Sequence, residues 1–195
     1  MLVGVGLAVY ELFIEPSQAI YRIPNDTVTV SDDKPDERPV SPDAEYNVPA
    51  DHPRRIIMDR LEINGFVQPV GVDQHGAIAV SSNIHIAGWF VDRAAPGESG
   101  LSIIDGHVRG WTSSGVFERL NEMVPGDRFQ VEMGDLSIRE FEVMESRTVS
   151  APDADTALFE RSVEGQLNLI TCTGPYNEKI DGYEQRQIIY ARFAP

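Results

Sequence analysis

From Arg54 to the end of the chain, apolar residues recur at every second position in short runs separated by glycine, proline and acidic turns, with no long helical period. The pattern predicts strands at "RIIMDRLEI" (Arg55–Ile63), "FVQPVGV" (Phe66–Val72), "GAIAV" (Gly76–Val80), "IHIAGWF" (Ile84–Phe90) and "LSIID" (Leu101–Asp105). Pro69 marks an edge position or a bend in the second of these. "DRFQVEM" and "LSIREFEVM" flank Gly134–Asp135 as the arms of a hairpin. Phe129, Val131 and Met133 share a face, but in the second arm Leu136 and Ile138 fall on the opposite parity from Phe141 and Val143. That switch predicts a β-bulge near Arg139–Glu140. The last two runs are "LNLITC" (Leu167–Cys172) and "RQIIYARF" (Arg186–Phe193). Val116, Leu120 and Met123 in "SGVFERLNEM" have helical spacing, and the long polar connection Ser150–Gln166 has room for a helical turn at Ala157–Val163. At least seven strands with one or two short helices describe a mostly β fold, a closed or nearly closed barrel.

The pattern before Arg54 is different. "MLVGVGLAVYELFI" is apolar but broken by Glu11, and Met1–Tyr10 as a helix would reach about 15 Å, half of what a membrane crossing requires. No basic n-region or small-residue cleavage site is present, so it is not a complete signal peptide. It reads as part of a membrane anchor; the competing reading is a helix packed on the domain. Residues 24–53 hold six prolines and eight acidic side chains and, apart from "TVTV" (Thr27–Val30), few apolar ones. Such a stretch is expected to be an extended spacer, or a tail without a job, because it has little surface to bury against its ordering entropy. The expected organisation is therefore an apolar segment 1–23, a spacer 24–53 and a globular domain 54–195.

Composition narrows the function. The 195 residues suffice for one well-buried domain, and a formal net charge of −15 excludes nucleic acid as a natural partner. A single cysteine, Cys172, rules out an internal disulfide, and no Cys/His cluster has zinc-ligand spacing. The acidic clusters Asp32–Asp33 and Asp153–Asp155 lack the alternating oxygen ligands of a calcium loop, so no metal or other cofactor is expected. Trp89 and Trp111 are expected to pack in the core or a groove wall, and His52 and His75 to be solvated.

Cys172 ends an apolar run just before Gly174 and Pro175. His107 follows the Gly106 that stops "LSIID", and Arg186 opens the last run. Brought together, these types make an acyl-transfer site. A thiol mostly protonated at neutral pH needs an imidazole to take its proton and return it to a leaving amine, and a guanidinium can stabilise the oxyanion. Taken alone the signal is weak, since a lone cysteine is more often a small buried side chain.

"LITC" followed by "YNEKIDGYEQRQIIYA", preceded by "GWFVDRAAPGESGLSIIDGHV" and "VFERLNEMVPGD", resembles the sortase family over Arg54–Phe193. The likeness lies in the Leu-x-Thr-Cys run, the Gly-His-Val end of a strand, the Pro-Gly-Asp turn and the arginine of the final strand, in the family's order. It implies a sortase-type closed β-barrel of about eight strands with one or two short helices. It further implies a cysteine transpeptidase that cleaves a C-terminal sorting motif of the Leu-Pro-x-Thr-Gly kind. Cys172 would be the nucleophile, His107 the general acid/base and Arg186 the oxyanion and positioning group. Thr171 would orient Arg186 or the substrate, and Ser146–Gln166 would shape the substrate groove. The partners implied are surface proteins bearing sorting signals and an amine acceptor such as a peptidoglycan precursor. The enzyme is expected to be a monomer on the cell membrane, anchored at its N-terminus, with the catalytic domain on the extracytoplasmic side. Arg109 stands where many relatives carry Asp, which argues against an acidic partner for His107. The absence of an Asp-Pro-aromatic lid and the stop after the last strand point away from pilin polymerisation and towards the class E or F branch. Two alternatives compete: a catalytically inactive barrel that binds peptide or cell-wall ligands, and an L,D-transpeptidase. The second lacks its Ser-His-Gly-x-Cys motif, since 65 positions separate His107 from Cys172.

Overall fold

The computed structural model describes residues 35–73, 76–160 and 163–194. The expectations for residues 1–34 and for His75 lie outside the described residues. Eight strands form: β1 (Pro53–Met58), β2 (Ile63–Val70), β3 (Ala87–Phe90), β4 (Leu101–Asp105), β5 (Arg128–Met133), β6 (Ile138–Ser150), β7 (Gln166–Asn177) and β8 (Gly182–Phe193). They close into a barrel in the order β1-β2-β3-β4-β7-β8-β6-β5, with β5 returning to β1. The β2/β3 and β4/β7 pairs are parallel and the others antiparallel.

Alternation along the strands divides the apolar residues between two cores. Ile56, Met58, Val67, Ile104, Phe129, Val131, Phe141, Leu167, Leu169, Ile189 and Ala191 point inward and fill the barrel. Each large side chain buried there contributes about 1.5–3 kcal/mol of transfer free energy. The intervening residues of β4 and β8, among them Leu101, Ile103, Ile188 and Tyr190, point outward. Over them lies the helix α1 (Ala154–Leu158), which contributes Ala157 and Leu158 to a second, smaller core. Tyr190 donates its hydroxyl to the Ala157 carbonyl at 2.9 Å, and the Asn168 amide donates to the Leu158 carbonyl at 2.7 Å, so the cover is pinned as well as packed.

Several local expectations change. "RIIMDRLEI" is two strands around a 3₁₀ turn, Asp59–Leu61, closed by Glu62 at φ 57°. Gly76–Val80 is not a strand; a single bridge joins Val72 and Ile78. "SGVFERLNEM" holds only a 3₁₀ turn, Leu120–Glu122, instead of a helix. Phe117, Leu120 and Met123 are all buried, and a three-residue repeat suits three residues per turn; the stretch is too short to favour an α-helix on its own. The bulge expected at Arg139–Glu140 is absent: β5 and β6 pair without a slip from Arg128↔Glu142 to Glu132↔Ile138. Leu136 sits in the turn at φ 65° and Ile138 faces solvent, so no parity switch exists. The register shift in β6 lies instead between Val143 and Glu145, against β8. The helical turn expected at Ala157–Val163 forms earlier, as α1. Pro69 lies past Phe66, where the β1/β2 pairing ends, which is locally the edge that a proline needs.

The largest departure concerns residues 35–50, expected to be a solvated spacer. They form a strap on the outside of β1 and β2. Tyr46 is 1% exposed, packs edge-on against Phe66 and donates its hydroxyl to the Val67 carbonyl at 2.9 Å. Val40, Ala44 and Val48 close around Tyr46, Phe66 and Ile86. Arg55 stacks over Phe66 and donates to the Pro42 carbonyl. Proline-rich composition limits the entropy the strap loses on ordering, and one tyrosine supplies the anchor. His52, also expected to be solvated, stands edge-on to the buried Trp89. Trp111 reverses its expectation and is 70% exposed.

Candidate active site

Cys172 is not at the end of a strand. β7 and β8 run on past the barrel wall as a long hairpin, and Cys172 lies in the middle of it, directly opposite Arg186. Arg186 likewise lies inside β8. The wall ends at this point because β4, the other neighbour of β7, pairs only as far as Asp105↔Ile170. Leu167 and Leu169 point into the barrel, so Ile170 and Cys172 point out, and by the same count Asp105 and Arg186 point out as well. The candidate nucleophile therefore sits on the outer wall, just beyond the cover provided by α1. That cover is built from the 3₁₀ turn Ala151–Asp153 and α1; Ser146–Ser150, expected to belong to the groove loop, is strand β6. The bulge between Thr173 and Tyr176, with Gly174 at φ 77°, bends the hairpin away immediately after the thiol. A Cβ on Gly174 would lie 2.6 Å from Gln185 Oε1, so glycine meets both the backbone and the packing requirement there.

His107 follows β4. Its Nε2 lies 2.7 Å from the Ser81 carbonyl, which can only accept, so Nε2 carries a proton and a neutral ring leaves Nδ1 as the acceptor. Among the described residues no hydrogen bond joins this ring to the thiol. The two strands are tied one step away: Thr171, 4% exposed, donates its hydroxyl to the Gly106 carbonyl at 2.7 Å, and the Gly106 amide donates to the Ile170 carbonyl at 3.1 Å. Thr171 thus faces the His107 side of the site and not Arg186.

Electrostatics keeps both partners neutral at rest. Burial pushes the Cys172 thiol up; Arg186 pulls it down and Asp105 adds to the rise. Burial pushes His107 down, partly offset by the Ser81 carbonyl. The signs follow from which form is charged: the thiolate for cysteine, the imidazolium for histidine. Asp105 is itself buried, and this desolvation raises its carboxyl well above the usual range. The Arg186 guanidinium donates to the Tyr183 and Gln185 carbonyls at 2.9 and 3.0 Å, which parks it along its own strand.

A cleft of about 280 Å³ opens at the thiol, lined by Val108, Arg109, Glu118, Asn121, Tyr183 and residues Thr171–Gly174. His107 and Arg186 stand outside this lining. Glu118, Asn121 and Tyr183 lie within the motifs quoted for the family likeness and Arg109 was noted only as a departure from it; none was singled out from the sequence as a cleft residue, nor was Ser81. A backbone carbonyl leaves no trace in residue type. Among the described residues no group of three His, Cys, Asp or Glu side chains is placed to hold a metal ion.

The family model "Sortase domain" matches residues 58–194. No curated protein matches the chain. Among solved structures, the sortase C-1 of Actinomyces oris is 22% identical over 72% of each chain, with a TM-score of 0.53. Sortase C1 of Streptococcus agalactiae is 22% identical over 73% of this chain and 67% of its own, TM-score 0.55. A lid mutant of sortase A from Corynebacterium diphtheriae is 19% identical over 72% and 69%, TM-score 0.55. At these identities the structural likeness is one of fold, and the domain match supplies the kinship: this chain belongs to the sortase family.

Proposed function

We propose that the protein is a cysteine transpeptidase that cleaves a C-terminal sorting motif of the Leu-Pro-x-Thr-Gly kind and passes the acyl group through a Cys172 thioester to an amine of the cell wall. The observation that carries this reading is the register: Cys172 and Arg186 are direct cross-strand partners on one face, with His107 on the adjoining strand end. Nδ1 of His107 takes the Sγ proton as sulfur adds to the scissile carbonyl. Arg186, released from its two carbonyls, donates to the oxyanion. The tetrahedral adduct collapses to the thioester as His107 returns the proton to the departing amine. An incoming primary amine gives its proton to His107 and displaces the sulfur, which is then reprotonated. The cleft along Thr171–Gly174 offers a second reactant access to the thioester. Thr171 serves by holding the two strands in register.

Surface proteins with sorting signals, an acceptor such as a peptidoglycan precursor, and attachment to the outer face of the cell membrane through residues 1–23 complete the proposal, within the class E or F branch. Among the described residues no helix is long and apolar enough to cross a membrane. The competing reading, a barrel that binds without turnover, draws on the lack of a hydrogen bond between the His107 ring and the thiol. Incubation with a fluorogenic sorting-motif peptide and hydroxylamine separates the two. Cleavage with hydroxamate formation, lost in Cys172→Ala, is expected; saturable binding with no product from the intact protein would sink the transpeptidase.

A further inference from the structure

His107 opens a loop whose base is bonded to itself and to Ile84 but whose tip has little of its own to hold it. Residues Arg109, Trp111, Thr112 and Ser114 are exposed; the base closes as a small hairpin, with Phe117 N–H on the His107 carbonyl at 2.9 Å and Gly115 N–H on the Val108 carbonyl, while within the tip Gly110 N–H reaches the Ser113 carbonyl. A solvent-facing polar turn of this kind buries too little to offset its ordering entropy. What grips its tip comes from the strap. The Glu37 carboxylate accepts from the Trp111 amide, from the Thr112 amide at 3.0 Å and from the Thr112 hydroxyl. Gly110 makes room for it, since a Cβ there would lie 2.6 Å from the Glu37 carboxyl carbon. The same strap is bonded to the segment that holds the His107 ring. Asp36 bridges to Asn83, its amide donating to the Ser82 carbonyl at 2.7 Å and its carbonyl accepting from Ile84 at 3.0 Å. The residue before Ser82 is Ser81, whose carbonyl holds the His107 ring. His85 Nε2 meets the Glu37 carbonyl at 3.2 Å, which pins the strap between the two segments.

We infer that Glu37 is a positioning residue for His107: by clamping the Trp111–Thr112 tip against the Ser81–His85 segment, the N-terminal strap sets where the imidazole stands relative to Cys172. The same grip places Arg109 in the cleft wall. The inference rests on the transpeptidase reading for its effect on rate, but not for its effect on the loop. It gives residues 35–50 a part in the chemistry, although they precede the matched domain at 58–194.

The test uses the full chain with Glu37→Ala, Glu37→Gln and, as a control that removes a carboxylate from the same strap, Glu45→Ala. Amide hydrogen exchange reads the clamp, the NMR titration of His107 reads its surroundings, and steady-state kinetics with the sorting-motif peptide reads the consequence. In Glu37→Ala the Trp111 and Thr112 amides should exchange at least about tenfold faster, and the better-hydrated ring should titrate closer to 6.5. The kcat should fall about tenfold with KM within about twofold, the signature of a displaced catalytic group. Glu37→Gln, which keeps the shape and one acceptor, should fall between, and Glu45→Ala should match the parent. Unchanged exchange at the tip, or faster exchange with His107 titration and kcat untouched, overturns the inference. So does a loss of kcat that merely follows a fallen Tm or is shared by Glu45→Ala. If the parent protein shows no turnover, the transpeptidase reading fails, and the exchange and titration arms alone decide this one.

Discussion

The two faces of β4, β7 and β8 make different use of one backbone. Inward stand Ile104, Leu167, Leu169, Ile189 and Ala191, all apolar and fully enclosed. On the opposite parity stand Asp105, buried, and Cys172 and Arg186, half covered, and the charges of Asp105 and Arg186 both act on the thiol. The inner face specifies register, because a slip of one residue would drive Cys172 into the core and Leu169 into water. The outer face can then carry groups that contribute little to stability. The barrel supplies the rigidity, and the reactive groups stand on its wall rather than in its mouth.

Substitutions on each face should separate these roles. The largest effect on stability is expected from Leu169→Ala, at about 2–5 kcal/mol in denaturant unfolding, with the alkylation rate of Cys172 unchanged in the fraction that stays folded. A stability loss below 1 kcal/mol would mean the inner face does not set the register. Arg186→Ala should do the reverse, lowering kcat about 10²–10³-fold while Tm stays put, and slowing iodoacetamide at fixed pH because the thiol loses the positive charge that favours its thiolate. Faster alkylation in that variant would contradict the pairing. Thr171→Val removes the hydroxyl that joins β7 to Gly106 and should cost about 1–3 kcal/mol, with a loss of kcat on top. The smallest effect is on pH dependence. Because burial lowers His107 and raises Cys172, the kcat/KM profile should be a broad bell, its acid limb below pH 6.5 and its alkaline limb above pH 9.0. Limbs that lie between those values would show that the two groups are more solvated than the structure has them.

Much of the barrel was legible because strands leave a two-residue alternation. β4, β5, most of β2 and β8 and half of β7 fall where the runs predicted. Two of the failures share one cause. "SGVFERLNEM" and Leu136–Ile138 show apolar spacing without the length or burial that would decide its meaning, so a 3₁₀ turn passed for a helix and an exposed turn for a bulge. The strap failed differently. Its composition is that of a disordered linker, and only Tyr46 reaching Phe66 and Val67 across the chain gives it a place to bury.

Residue types and their order determined that this chain builds a mostly β barrel of the sortase family, and they named Cys172, His107 and Arg186 as the candidates for its site. Those are local facts: alternation, turn residues and short motifs are written in consecutive positions. Only the tertiary structure decided that the thiol faces outward, that Ser81 holds the imidazole by a carbonyl, and that Glu37 grips a loop 74 positions away. Such contacts join backbone groups and side chains remote in the chain, and what selects them is the closure of the barrel as a whole, which no stretch of sequence contains.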